Sequence, residues 1–206
     1  VVAGVDEMTA RFGRVIVLED DMESSPYFLS FMNEALNRFA HDGRIAEIHG
    51  YTAPLPPGTP ECFLRRGADC WGWATWERGW RLFNPDAAAL LTELKRRGET
   101  RLFDLDGAFP FCRMLADQAA GKLDSWAIRW QASVFLAGKY MLQSGRPLIR
   151  NIGGDGSGRH CAAGVGEEFR LWERPVGIPE EPEPEREAVR QLADSAVPAD
   201  CGETAL

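Results

Sequence analysis

Residues Arg14-Val15-Ile16-Val17-Leu18 form a short, continuous, β-branched run that leads directly into three acids, Glu19-Asp20-Asp21. An apolar run of this length, without polar alternation, is the pattern of a fully buried strand in a sheet covered on both faces. The three acids then lie at the C-terminal end of a core strand, where open α/β sheets bind their ligands. Helical patterns surround the strand. One covers residues 2–11 and is ended by Gly13. Pro26 opens another, with Phe28, Phe31, Met32, Ala35, Leu36 and Phe39 at helical spacing. Residues 45–51 read as a second strand and residues 62–64 as a short one, separated by a proline-rich loop at 54–60. Helices are expected over 87–97, 111–120 and 125–137, the last with Trp126, Trp130 and Val134 on one face. Short strands at 140–142 and 147–149 lead into a glycine-rich loop, 151–158. The class is α/β.

At 206 residues the chain is long enough for one sizeable core, or one domain and a tail. An apolar fraction of 45% and seven tryptophans indicate a folded protein. The formal charge of −8 argues against a nucleic-acid partner, which needs a basic footprint. An acidic chain still binds a nucleotide when a divalent cation lies between the two. No stretch is long and apolar enough for a transmembrane segment. Cys62, Cys70, Cys112, Cys161 and Cys201 show no paired spacing, and read as free thiols in a reducing compartment. The opening Val1-Val2-Ala3-Gly4-Val5 reads as though entered mid-element, so the start of the natural protein is expected to lie upstream. Residues 1–172 are read as one partial domain, and 173–206 as an acidic, proline-rich segment with a short helix and a frayed tail.

Several motifs admit two readings. Glu19-Asp20-Asp21 is either a solvated strand exit or a cation site. Strand geometry places Glu19 and Asp21 on one side and Asp20 on the other. Magnesium or manganese accepts one or two such carboxylates plus substrate phosphates. Asp124 is either the N-cap of the helix at 125 or a general base for an acceptor hydroxyl. Glu77 and Asp106 are lesser candidates for that base. Trp73, Trp76 and Trp80 fall at i, i+3 and i+7, the packed face of a helix. The alternative is a platform for an acceptor sugar, with Trp71 and Trp73 near the cleft and Gly72 allowing close backbone approach. The loop 153–160 is an ordinary turn, or a lid in which Arg159 contacts phosphate and His160 binds metal. His41 and His49 look structural or surface-exposed.

Residues 15–22, with Leu18-Glu19-Asp20-Asp21 at their centre, resemble the acidic motif of GT-A-fold glycosyltransferases. The likeness is to the form found in N-acetylglucosaminyltransferase I and in bacterial family 2, hemolysin-like (HlpA-like) transferases. Trp71-Gly72-Trp73-Ala74-Thr75-Trp76, Ser125-Trp126-Ala127-Ile128-Arg129-Trp130 and the block from Asn151 to Cys161 resemble the same bacterial group. Together these blocks cover most of residues 1–162 in the expected order. The resemblance implies a mostly parallel GT-A-like sheet flanked by helices, with its first strands absent from the chain. It implies that Asp21 ligates Mn2+ or Mg2+ while Glu19 and Asp20 contact the nucleotide-sugar donor. It favours the lid reading for Arg159 and His160. Asp124-Ser125-Trp126 is similar to the segment that supplies the base in N-acetylglucosaminyltransferase I.

The expected function is metal-dependent, inverting transfer of a sugar from a nucleotide-sugar to a glycan or lipid-linked acceptor. The expected place is the cytoplasm, at the inner face of the membrane, in surface-polysaccharide synthesis. The rivals are a catalytically silent glycan-binding fragment and a metal-dependent phosphoester hydrolase.

Overall fold

The computed structural model describes residues 1–153 and 169–184. The chain opens with α1 (Val2–Phe12), closed by Gly13, and β1 (Arg14–Val17). Next come β2 (Met22–Ser24), α2 (Phe28–Arg38), β3 (Ile45–His49), β4 (Cys62–Arg66), β5 (Trp73–Trp76) and the one-turn α3 (Glu77–Trp80). Four helices follow: α4 (Ala87–Arg97), α5 (Thr100–Phe103), α6 (Phe111–Ala119) and α7 (Trp126–Leu136). β6 (Tyr140–Ser144) and β7 (Ile149–Asn151) complete the described elements.

Five strands form one sheet in the order β1-β5-β3-β6-β4, and β2 pairs with β7 in a separate ribbon. β3 and β6 are parallel neighbours, whereas β1–β5, β3–β5 and β4–β6 are antiparallel. The expected mostly parallel sheet is therefore corrected to a mostly antiparallel one within an α/β fold. A strand covered by helices on both faces reads as an apolar run whichever way its neighbours point. The run at 14–18 consequently carried no directional information. β1, β3 and β6 still point the same way, because two antiparallel steps through β5 restore the direction. Their C-terminal ends share one edge of the sheet, and the acidic triplet emerges there.

β1 also differs from expectation in depth. It is an edge strand and half-buried, not fully buried. Val15 and Val17 pack on one face and Ile16 on the other, so both faces are covered while water reaches it from the side.

The two faces of the sheet have different chemistry. One is apolar: Ile48, Leu64, Ala74 and Leu142 meet Phe28, Phe31, Met32, Ala35 and Leu36 of α2. The other carries Thr75, Glu47, His49, Arg65 and Gln143, all buried, beneath Trp130 and Gln131 of α7. α7 turns its remaining sides (Ile128, Ala132, Phe135, Leu136) to α4 and α6, and is buried almost all round.

The tryptophan segment is not one helix. Trp73 and Trp76 lie on β5 and, three residues apart, point to opposite faces. Trp80 follows on α3 and rejoins Trp73 and Trp130 in one aromatic cluster, with ring centroids 5.1–5.9 Å apart. The helical spacing was a coincidence of strand and helix periods.

Residues 173–184, the first part of the segment read as an acidic tail, run along β4. Val176 and Ile178 are buried in the α2-side core, and the Leu64 amide donates to the Glu183 carbonyl at 2.9 Å. This strap covers what is otherwise the free edge of β4.

Candidate functional site

The chain leaves β1 at Leu18 and turns at Glu19–Met22, where the Met22 amide donates to the Glu19 carbonyl at 3.3 Å. Glu19 and Asp21 are half-buried and Asp20 is exposed, but all three lie in a turn beyond the end of β1, so strand alternation does not set their sides. β2 then pairs with β7, which brings Asn151 opposite Met22. The Ile152 amide donates to the Asp21 carbonyl at 2.8 Å.

This pairing orients one carboxylate. Asn151 Nδ2 donates to Asp21 Oδ2 at 3.2 Å, and Asn151 Oδ1 accepts from the Gly153 amide at 2.7 Å. Gly153 is needed for space, since a Cβ there would stand 2.9 Å from Asp21 Oδ2. Asp21 Oδ1 is buried and has no hydrogen-bond partner among the described residues. A buried carboxylate oxygen left in this way is costly unless something else binds it.

Beside the turn, residues 69–72 form a wall. The Gly50 amide donates to the Gly72 carbonyl at 2.8 Å, and the Trp71 ring meets Tyr51 edge-on at 4.7 Å. Gly72 adopts φ 65°, and a Cβ there would collide with Ile149. Close packing against Ile149 therefore explains this glycine in the structure. Trp71 keeps part of its ring exposed at the rim, whereas Trp73 is fully buried and presents no ring face to a ligand. Cys70 belongs to this wall and feels the charges of the turn. Burial pushes its thiol well above the ordinary value, reinforced by the negative charges of Asp69, Glu19, Glu47 and Asp21.

α7 begins at the same edge of the sheet. Trp126 stacks on Trp73 at 5.5 Å, and Trp73 pairs with Val17, next to the acidic exit. The N-cap of α7 is Ser125, whose Oγ accepts from the Ile128 amide at 3.3 Å. Asp124 precedes the cap, is 99% exposed, and lies 3.8 Å from Arg129. The cap reading of Asp124 is corrected: Ser125 caps the helix, and the Asp124 carboxylate projects into solvent. Ser125→Ala is expected to lower stability by about 1 kcal/mol, and Asp124→Ala to leave it within roughly 0.5 kcal/mol, in chemical denaturation.

The structure separates the lesser candidates from the turn. Glu77 sits at the opposite end of β5, where its amide donates to the Gly13 carbonyl and its side chain pairs with Arg81. Asp106 is exposed beside Arg101 in the helical layer. Arg159 and His160 lie outside the described residues. His41 is exposed and His49 is wholly buried.

The sequence offered no sign that Asn151, at the start of the glycine-rich loop, would bind Asp21. Its role arises from pairing with a turn 130 positions away. Sequence reasoning set His49 aside, although the β3 alternation already placed Glu47 and His49 on one face.

Among the described residues, no group of three or more His, Cys, Asp or Glu side chains is arranged to hold a metal ion. One oriented carboxylate oxygen at a strand exit fits a cation that takes most of its ligands from substrate phosphate and water. No helix among the described residues is long and apolar enough to cross a membrane. No protein-family model matches the chain, and no curated protein matches it.

Proposed function

We propose that the chain is a metal-dependent glycosyltransferase that moves a sugar from a nucleotide-sugar donor to a glycan or lipid-linked acceptor. The observation that carries this reading is Asp21, just past the C-terminal end of β1: Asn151 clamps one carboxylate oxygen, and the other is buried with no partner among the described residues. The resemblance of four ordered sequence blocks to GT-A enzymes supports it, and the ending of three like-directed strands at this edge supports a ligand there.

In this mechanism Asp21 would hold Mn2+ or Mg2+ through Oδ1, and His160 would be the further ligand suggested by sequence. When bound, such a cation would supply positive charge to a departing nucleoside diphosphate. Glu19 and Asp20 bind donor hydroxyls or waters around it, and Arg159 neutralises phosphate. Trp71, at the rim, offers a face to the acceptor sugar, with Gly72 keeping the wall close beneath it. Asp124 takes the acceptor proton: its exposure leaves the carboxylate accessible to an incoming hydroxyl, and inversion follows from attack opposite the diphosphate. Nucleotide-sugars are cytoplasmic metabolites, so we place the reaction on the cytoplasmic side of the membrane.

A thermal-shift screen tests the reading. A nucleoside diphosphate with Mn2+ is expected to stabilise the protein at saturation, whereas neither does so alone. At a hundredfold excess over Kd the gain is about 2.7 kcal/mol, or roughly 5–10 °C in Tm. Stabilisation by free glycans without nucleotide would instead indicate the silent glycan-binding fragment. Manganese-dependent cleavage of simple phosphoesters, with no use of nucleotide-sugar, would indicate the hydrolase.

A further inference from the structure

Glu47, His49 and Asp69 lie side by side on the polar face of the sheet, directly behind the wall at residues 69–72. Glu47 and His49 are fully buried, and Asp69 keeps 24% of its side chain exposed. The imidazole stands between two carboxylates: Nδ1 is 3.5 Å from Glu47 Oε1, and Nε2 is 3.9 Å from Asp69 Oδ2. Neither ring nitrogen has a hydrogen-bond partner among the described residues.

The surroundings restrict where protons can reside. Glu47 accepts from the Asp69 amide at 3.0 Å through Oε1, and from Trp130 Nε1 through Oε2. Asp69 accepts from Arg65 Nη2 at 2.6 Å and from the Cys70 amide at 2.9 Å. Around His49, the 69–70 segment contributes Asp69 and Cys70, β4 contributes Arg65, and the acidic turn acts on the same thiol through Glu19 and Asp21. β5 and β6 set only the neutral Trp73 and Gln143 beside it, α7 adds the neutral Trp130 and Gln131, and Tyr51 meets the ring edge-on at 6.3 Å.

A neutral imidazole has one acceptor nitrogen, which would face a carboxylate that is also an acceptor. That repulsion disappears if one extra proton is present, either on the ring or on Glu47. Burial favours Glu47 as its alternative seat: it raises that carboxyl above its ordinary value, despite the opposing influence of His49, Trp130 and the Asp69 amide. Asp69 behaves differently. Burial pushes its carboxyl up, but His49, Arg65 and the Cys70 amide outweigh this and hold it below the ordinary value. With the proton in place, Glu47, His49, Asp69 and Arg65 sum to zero charge. Without it, one net negative charge is buried beside Glu19 and Asp21.

We infer that Glu47, His49 and Asp69 are positioning residues: a buried row, sharing one proton between Glu47 and His49, that fixes residues 69–72 against the acidic turn. The mechanical link is the Asp69 amide bound to Glu47 and the Asp69 carboxylate bound to the Cys70 amide, with Trp71 and Gly72 next in the chain. Loss of the shared proton loosens this wall, so the row sets the pH range over which the turn keeps its shape.

The test is ring-nitrogen NMR of the full chain with labelled histidine, His49 being identified by the signal lost in His49→Gln. A single pH step at His49 is expected, followed with the same midpoint by the backbone amides of residues 69–72. In Glu47→Gln the midpoint should fall by about one pH unit or more, as a carboxylate partner of the imidazole is removed. If that variant does not fold, Asp69→Asn gives the same direction, and the joint titration of ring and wall needs no variant. Wall amides that ignore the His49 step would overturn the inference, and so would a midpoint unchanged by removal of a carboxylate. No cation or donor enters this measurement, so its outcome is independent of the transferase reading.

Discussion

Asp21→Ala is expected to abolish manganese-dependent turnover of the nucleotide-sugar, with kcat/KM falling by roughly 10²–10³-fold. The fold should survive, because the Asp21 side chain contributes one hydrogen bond, to Asn151, and its backbone contact with Ile152 is kept. The loss arises because the variant removes the buried, unpartnered oxygen that the turn presents. Asp20→Ala makes an internal comparison: Asp20 is exposed, so its smaller contribution should appear mainly in KM. Asn151→Ala separates orientation from ligation. The carboxylate remains but loses its clamp, and cation affinity should drop by roughly 10–100-fold. Steady-state kinetics over a manganese series, with circular dichroism to confirm folding, checks all three. Full activity in Asp21→Ala would remove the cation from the mechanism.

Trp130→Ala should produce the largest loss of stability. Trp130 is wholly buried at the junction of α7 and the sheet, in contact with the rings of Trp73 and Trp80. Replacing a core tryptophan by alanine costs about 3–5 kcal/mol through lost burial and the residual cavity. For a chain of this size that lowers Tm by roughly 10–20 °C. The indole also donates to Glu47, so truncation strips a buried carboxylate of one donor. Trp130→Phe isolates that contribution, and about 1.5–3 kcal/mol is expected from the bond to a charged group. The penalty should shrink on acidification. The indole N–H favours the ionised carboxylate, so its contribution is present when Glu47 is charged and is lost as pH falls through the folded-state value. Burial places that value above the ordinary one for Glu, so the decline begins above pH 4.5. Denaturant unfolding at neutral and mildly acidic pH measures the difference.

Much of the fold was legible because helices and turns are specified by near neighbours. The spacing of Phe28, Phe31, Met32, Ala35 and Leu36 located α2, and the run at 87–97 coincides with α4. Trp126, Trp130 and Val134, expected on one face of α7, pack into one cluster. The tryptophan segment was misread because a strand followed by a short helix happened to reproduce helical spacing. Strand direction was misread because continuous burial looks the same in parallel and antiparallel company. The acidic turn was legible as a candidate, but its geometry was not: Asn151, Gly153 and the wall at 69–72 reach it only through distant pairings.

The sequence by itself located the longer helices and the strands that begin at Arg14 and Ile45, and it placed three acids at the exit of the first strand. These properties depend on periodicity within a few residues, so the local chain encodes them. The tertiary structure alone decided the strand order, the burial of Trp73, and which oxygen of Asp21 stays unpartnered. Each of those depends on groups far apart in the chain, brought together only when burial of the sheet faces fixes strand register. Asp21 and Asn151 are 130 positions apart, and Trp130 is 83 positions from Glu47. No local pattern records such a pairing, because its stabilisation exists only once the core between its partners has formed.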